Sequence, residues 1–143
     1  MREVIAGQLW IGNTFDVDDI RSVLDAGVQA IVDLALQETP KKMPRDMLYL
    51  RFPLNEGGGN SPDTIRIALE SVASLLRREI PTLVFCSAGM SRSPSVAAFG
   101  LALAQQRDPS DCIGQVLGDG PRDVSSVLWK SLATAYDEIV ADA

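Results

Sequence analysis

Histidine is absent from the 143-residue sequence, and cysteine occurs only twice. Without histidine the chain cannot build a Ser-His-Asp or Cys-His catalytic group, a histidine-ligated zinc site or a histidine general base. The two cysteines, Cys86 and Cys112, are too few for a disulfide framework or for a zinc site made of cysteine alone. Any catalysis must therefore use cysteine, aspartate, glutamate, arginine, serine or tyrosine side chains.

Positive charge and long apolar runs are also scarce. The 13 lysine and arginine residues are outnumbered by 19 aspartate and glutamate residues, for a net charge of −6. This balance argues against nucleic-acid binding, which needs a basic surface to neutralise phosphates. The most apolar segment, Val96–Ala104, is about half the length of a membrane span, and Met1–Asn13 lacks the apolar segment of a signal peptide. We expect a cytoplasmic monomer that binds neither nucleic acid nor membrane.

Residues 1–143 are expected to form a single domain. Segments rich in β-branched and apolar residues alternate with segments whose apolar residues recur at helical spacing. This alternation predicts an α/β fold with a central, mostly parallel, twisted sheet of about five strands flanked by helices, and a helical C-terminal third. The predicted strands lie in Val4–Gly12 (a pair joined at Gly7-Gln8), Val28–Leu36, Met47–Leu54 and Thr82–Phe85, and the predicted helices are Asp16–Ala26, Ser61–Glu79, a helix opened by Ser93-Pro94, Pro109–Leu117 and Val124–Val140.

The strand predicted at Thr82–Phe85 leads directly into a short loop, Cys86–Arg92, before the next helix. A loop between a strand and a helix N-terminus turns several backbone N–H groups into one concavity and places partial positive charge there. Gly89 suits such a cradle because glycine tolerates a positive φ. Arg92 is placed to bind two oxygens of a tetrahedral anion. The positive potential of the loop amides, the helix N-terminus and Arg92 would stabilise Cys86 as a thiolate. The pattern predicts a phosphate site that contains a nucleophile.

The segment Val84–Ser93 resembles the signature loop of the dual-specificity branch of the protein tyrosine phosphatases, in which Cys-x5-Arg is followed by Ser. The resemblance extends over nearly the whole chain. Leu9–Asn13 is similar to the family's opening strand, Ala30–Leu34 to its next strand, and Tyr49–Leu54 to the strand before its acid loop. Low-molecular-weight tyrosine phosphatases share the Cys-x5-Arg spacing but carry it near the N-terminus, so they fit poorly.

The resemblance implies a two-step, metal-free hydrolysis through a cysteinyl-phosphate, with no cofactor. Cys86 would be the nucleophile, Arg92 would clamp the phosphate, and the Ser93 hydroxyl would donate to the sulfur when it leaves. The loop between Cys86 and Arg92 contains no lysine or further arginine, whereas relatives that act on polyphosphorylated lipid head groups tend to have basic residues there. We therefore expect a phosphorylated protein or a small phosphate ester as substrate. The residues of that loop, expected to bind the substrate, are Ser87, Ala88, Gly89, Met90 and Ser91.

Two positions depart from the family pattern. Phe85 stands where a histidine usually precedes the cysteine, and because that histidine helps to organise the loop we expect weaker stabilisation of the thiolate here. The family's general acid is an aspartate in the loop after the Tyr49–Leu54 strand, where this chain has Asn55 and Glu56. Glu56 would protonate the leaving oxygen if the glycines that follow let the loop move, and otherwise it is a solvent-exposed loop acid. Asp63 is a second candidate, although a negative charge in the first turn of a helix also explains it.

Two other functions stay open on the sequence alone. The two departures would fit a catalytically impaired, phosphate-binding module, whereas the intact Cys86, Arg92 and Ser93 favour an enzyme. A thiol redox or arsenate-type enzyme would need Cys86 and Cys112 to act as a pair, but the chain has no Cys-x-x-Cys motif and twenty-five residues lie between the two thiols. We therefore expect Cys112 to be a core residue.

Overall fold

A computed structural model describes residues 1–120 and 122–143 of the chain. Its elements follow the alternation that the sequence predicts, since strands and helices are interspersed up to residue 86 and only helices follow. The strands are β1 (Arg2–Ile5), β2 (Leu9–Asn13), β3 (Ala30–Ala35), β4 (Leu48–Leu54) and β5 (Thr82–Cys86), and the helices are α1 (Thr14–Asp18), α2 (Ile20–Asp25), α3 (Pro62–Arg77), α4 (Arg92–Gln105), α5 (Pro109–Leu117) and α6 (Ser126–Asp142).

The five strands form one sheet in the order β1-β2-β5-β3-β4. Only β1 is antiparallel to its neighbour, and the pairs β2–β5, β3–β5 and β3–β4 are parallel. Cys86 at the end of β5 pairs with Asn13 of β2, so the loops that follow these strands leave the sheet at one edge. In a parallel sheet the carboxyl edge is where ligands bind. The predicted α/β fold with a mostly parallel five-stranded sheet is confirmed.

Each face of the sheet covers its own apolar core. The side chains of β5 alternate between the two, with Val84 and Cys86 in the larger core under α3 to α6 and Leu83 and Phe85 in the smaller core under α1 and α2. A strand that is buried on both faces has a nearly continuous run of apolar residues. This burial explains why β5 contains no polar residue after Thr82.

Helix α4 carries the end of the cysteine loop and is buried from its first turn almost to its last. Gly100 lets it lie very close to α3, because a Cβ atom there would come within 2.3 Å of Val72 Cγ1. The backbone of α4 at Gly100 therefore packs directly against the Val72 side chain of α3. Within the described ranges, no helix is long and apolar enough to span a membrane.

The helix predicted at Asp16–Ala26 is wrong as a single element, because the structure has two short helices there. The backbone leaves the helical region at Asp19, with φ −87° and ψ 67°. The Asp19 carboxylate accepts hydrogen bonds from the Ser22 amide at 3.4 Å and from the Ser22 hydroxyl at 2.7 Å, so it caps a new helix instead of continuing the first. The ends of the other predicted elements differ from the observed ones by no more than two residues.

Candidate active site

The thiol of Cys86 lies at the bottom of the predicted cradle and is 1% exposed. Three groups surround its Sγ: the Gly89 amide at 3.2 Å, the Ser93 amide at 3.4 Å and the Ser93 hydroxyl at 3.3 Å. The two amides donate to the sulfur, and the thiol donates to the Ser93 hydroxyl. The geometry thus surrounds the sulfur with polar groups and brings Ser93 to it as the sequence predicts.

The loop above the sulfur offers several unpaired amide groups. Four backbone N–H groups of this loop have no hydrogen-bond acceptor among residues 1–120 and 122–143. They belong to Ser87, Ala88, Met90 and Ser91. Unpaired N–H groups at the N-terminus of a long helix are the donors that an oxyanion takes. Four of the five loop residues predicted to bind substrate thus have free backbone donors, whereas the Gly89 amide donates to Cys86 Sγ.

Gly89 is required by the shape of the loop. Its φ is +74°, a conformation that residues with a Cβ rarely adopt, and a Cβ atom there would lie 2.9 Å from the Gly12 carbonyl oxygen. The loop can therefore approach the end of β2 only with glycine at this position.

Hydrogen bonds from neighbouring segments hold the outside of the same loop. Two of them come from backbone N–H groups after α5 and one from the start of α1, so two separate segments support the loop. These contacts are Thr14 N to Ser87 O at 3.3 Å, Asp123 N to Met90 O at 3.2 Å and Ser125 N to Ser91 Oγ at 3.0 Å.

Arg92 is 4% exposed and is anchored from one side of its guanidinium. Its NH1 donates to the Leu54 carbonyl at 2.9 Å and to Gln37 Oε1 at 2.7 Å, and lies 3.5 Å from the Leu34 carbonyl. These three partners belong to the ends of β3 and β4, on the same sheet edge as the cysteine loop. Gln37 has no signature in the sequence, because nothing in a single glutamine after a strand indicates that it will meet an arginine 55 residues later.

Glu56 reaches the same arginine from the opposite side. Its Oε2 lies 3.1 Å from Arg92 Nε, although the Nε–H bond is not aligned for a hydrogen bond. The Glu56 side chain is 52% exposed. The structure thus brings Glu56 to the site, whereas Asp63 is exposed in the first turn of α3, as its alternative interpretation predicts.

The loop that carries Glu56 is closed by one side chain. Asn60 Oδ1 accepts from the Asn55 amide at 2.7 Å, and Asn60 Nδ2 donates to the Asn55 carbonyl at 3.1 Å and to the Gly57 carbonyl at 3.4 Å. Gly58 faces the first turn of α6, since a Cβ atom there would lie 3.5 Å from Val127 Cγ1. We call residues 55–60 the acid loop.

A buried polar cluster supports the segment that carries Gln37. Asp33 is fully buried and accepts a hydrogen bond from the Tyr49 hydroxyl, and Arg51 Nε lies 3.4 Å from the same carboxylate oxygen. Arg51 also donates to the backbone carbonyls on both sides of the Gln37 segment, at 3.3 and 3.0 Å. Burial, together with the hydrogen bond to Asp33, raises the pKa of Tyr49 to about 12.

Phe85 and Cys112 lie away from the cradle. The Phe85 side chain is fully buried in the smaller core, on the sheet face opposite to Cys86. Cys112 is fully buried in α5, as expected, and burial raises the pKa of its thiol. Both cysteines are free thiols. Across the part of the chain that the structure describes, no group of three or more acidic, cysteine or histidine residues is arranged to hold a metal ion.

No protein-family model matches this chain, and no curated protein sequence matches it. Solved structures do resemble it. Human DUSP28 has a TM-score of 0.84 at 17% identity, with 100% of both chains covered. Human tyrosine phosphatase-like serine/threonine/tyrosine-interacting protein has a TM-score of 0.79 at 16% identity, covering 100% of this chain and 98% of its own. PTPMT1, solved in complex with PI(5)P, has a TM-score of 0.76 at 15% identity, covering 99% of this chain and 97% of its own.

These likenesses concern the fold. The chain has the fold of the dual-specificity phosphatases. The fold implied by the resemblance of Val84–Ser93 and of the strand segments is thereby confirmed. The roles of the individual side chains and the occurrence of catalysis stay predictions, because a shared fold does not fix a function.

Proposed function

We propose that this protein is a cysteine-dependent phosphomonoester hydrolase with Cys86 as its nucleophile. The observation that carries the proposal is the position of Cys86 Sγ, within 3.4 Å of two amide donors and of the Ser93 hydroxyl, at the base of a loop with unpaired amides. A stabilised thiolate that faces an anion site is arranged to attack the atom at the centre of that anion.

In the first step the Cys86 thiolate attacks the phosphorus, so that an S–P bond forms as the P–O bond of the ester breaks. The loop amides and Arg92 stabilise the charge that develops on the phosphoryl oxygens. Protonated Glu56 gives its proton to the leaving oxygen, which departs as an alcohol or phenol.

In the second step a water molecule attacks the phosphorus of the cysteinyl-phosphate. The S–P bond breaks, the sulfur leaves as a thiolate, and the Ser93 hydroxyl donates a hydrogen bond to it. Glu56, now a carboxylate, takes a proton from the attacking water, so the cycle ends with phosphate and the enzyme in its starting protonation state.

The substrate class follows from the charge of the site. Arg92 is the only cationic residue of the segment from Cys86 to Ser93, so one phosphoryl group is matched and further phosphates are not. We therefore propose a phosphorylated protein or a small phosphate ester as substrate. The cytoplasmic, monomeric state expected from the composition stays a prediction.

The test is hydrolysis of an aryl phosphate between pH 5 and 8 with EDTA present, comparing the wild type with Cys86→Ser. Loss of the nucleophile is expected to lower kcat by at least about 10³-fold, because such losses are among the largest seen for single residues. Turnover that is equal in both proteins would contradict the proposal. If neither protein turns over while both bind tungstate, the chain is the phosphate-binding module that the sequence leaves open.

The role of Glu56 is tested separately with Glu56→Gln. An alkyl leaving group needs protonation more than an aryl one, so kcat should fall about 10²-fold for an alkyl phosphate and much less for an aryl phosphate. Asp63→Asn is the matched control, and it should affect both substrates little. An equal loss on both substrates in Glu56→Gln would rule out general acid catalysis by this residue.

A further inference from the structure

The Glu56 carboxylate lies beside the arginine that is expected to hold the phosphate. We propose that Glu56 acts as an internal anion, which occupies the open side of Arg92 in the empty site and is displaced when a phosphate binds. This inference rests on the phosphate site of the proposed function. It gives Glu56 a role in the empty site, as the partner of Arg92, in addition to its role as the proton donor.

The contacts of Arg92 leave one direction open to an external anion. NH1 faces three oxygen atoms, those of Gln37, Leu34 and Leu54, and these hold the guanidinium in a fixed orientation. Nε is buried and lacks a hydrogen bond, and the Glu56 carboxylate at 3.1 Å is its ion-pair partner among the described residues. Because NH1 is occupied, an anion that binds Arg92 through two parallel hydrogen bonds would use Nε–H together with NH2. Phosphate and Glu56 therefore compete for the same donor.

The Glu56 side chain is able to move away from Arg92 without a rearrangement of the acid loop. Its side chain is half exposed, and its contact with Nε lacks hydrogen-bond alignment, so little holds it there beyond charge attraction. The acid loop is closed by Asn60 through its own backbone contacts and does not depend on Arg92. Rotation of one side chain is thus sufficient for the displacement.

Displacement changes the chemistry that Glu56 can perform. While the carboxylate contacts Arg92 Nε, it faces the arginine rather than the leaving group of an ester. Its displacement frees the side chain to turn toward that leaving group. The role of Glu56 in the proposed function therefore requires that this contact breaks.

The first measurement is the dissociation constant of tungstate, a phosphate analogue, by isothermal titration calorimetry. Glu56→Gln keeps the size of the side chain and removes its charge, so it should bind tungstate about three- to tenfold more tightly than the wild type. Glu138→Gln is the matched control, because it removes one exposed carboxylate on α6 and should leave the constant unchanged.

A second measurement distinguishes two reasons for tighter binding by Glu56→Gln. Either Glu56 contacts Arg92 in the free protein, or its charge only repels tungstate once tungstate is bound. The Arg92 Nε–H resonance, assigned by its loss in Arg92→Lys, should shift in tungstate-free Glu56→Gln and should shift in the wild type when tungstate is added. An unmoved resonance in the free variant, or an unchanged dissociation constant, would overturn the displacement. If no variant binds tungstate at all, the phosphate site of the proposed function fails together with it.

Discussion

Two loops meet at this site, and they are built in opposite ways. The loop from Cys86 to Arg92 is short, largely buried at both ends and held by three backbone N–H groups from two other segments. The acid loop is exposed, contains three consecutive glycines and is closed by the side chain of Asn60. Donors for an anion must be in place before it arrives, because their alignment is what stabilises charge in the transition state. A proton donor must follow a leaving group that varies in position, so a looser support suits it.

The largest difference between the two loops should come from adding one methyl group to each. Gly89→Ala forces a Cβ into a conformation with φ +74° and to within 2.9 Å of the Gly12 carbonyl. Strain of about 3 kcal/mol is expected, and aryl phosphatase activity should fall about 10²-fold. Gly57→Ala, which meets nothing within 4 Å and does not have a positive φ, should change activity by less than about threefold.

Steady-state kinetics on purified, folded variants measures both effects, with circular dichroism as the check on folding. If the two alanine variants lose activity equally, the cradle is not more rigid than the acid loop. If Gly89→Ala retains full activity, the loop tolerates the shift and the proposed backbone cradle is incorrect.

A smaller effect is expected at Gln37, which supports the cradle from the edge of β3. Gln37→Ala removes the 2.7 Å contact with Arg92 NH1, while the Leu54 carbonyl still holds the guanidinium. Loss of one hydrogen bond to a charged group should raise KM for an aryl phosphate about tenfold, with a smaller change in kcat. Gln37→Met keeps the length of the side chain and removes the amide acceptor, so it should raise KM as much as Gln37→Ala does. A role in packing alone would leave the KM of Gln37→Met near that of the wild type.

The smallest effect concerns stability, at the polar cluster beneath the Gln37 segment. Because the pKa of Tyr49 is raised from 10 to about 12 in the folded protein, folding is favoured by its protonated form below pH 10. This contribution is lost as the pH rises from about 10 toward 12. Tyr49→Phe should be about 1 to 3 kcal/mol less stable at pH 7, because buried Asp33 loses a donor, but it should show a shallower decline above pH 10.

Urea unfolding at pH 7 and at several values between 10 and 11.5 tests this prediction. The variant retains the other alkaline groups with raised pKa values, Cys112 and Tyr136, so the difference in slope isolates Tyr49. If the free energy of unfolding declines equally with pH in the two proteins, the pKa of Tyr49 is not raised in the folded state.

Sequence patterns were sufficient where structure depends on neighbours along the chain. The spacing of Cys86, Gly89, Arg92 and Ser93 predicted the cradle, because a loop and the helix that follows it are built from consecutive residues. The same local reasoning failed at Asp19, where the apolar spacing of one helix continues across a capping side chain that divides it. Apolar periodicity reports which face is buried, and it does not report a break in the backbone.

By itself the sequence determined the sheet, the cysteine loop and the residue types available for chemistry, since each follows from local spacing and composition. Only the tertiary structure decided which distant residues meet Arg92, because Gln37 and Glu56 arrive there on separate strand ends. Such contacts depend on strand order and on the direction in which each strand ends, and neither is written in the spacing of any one segment.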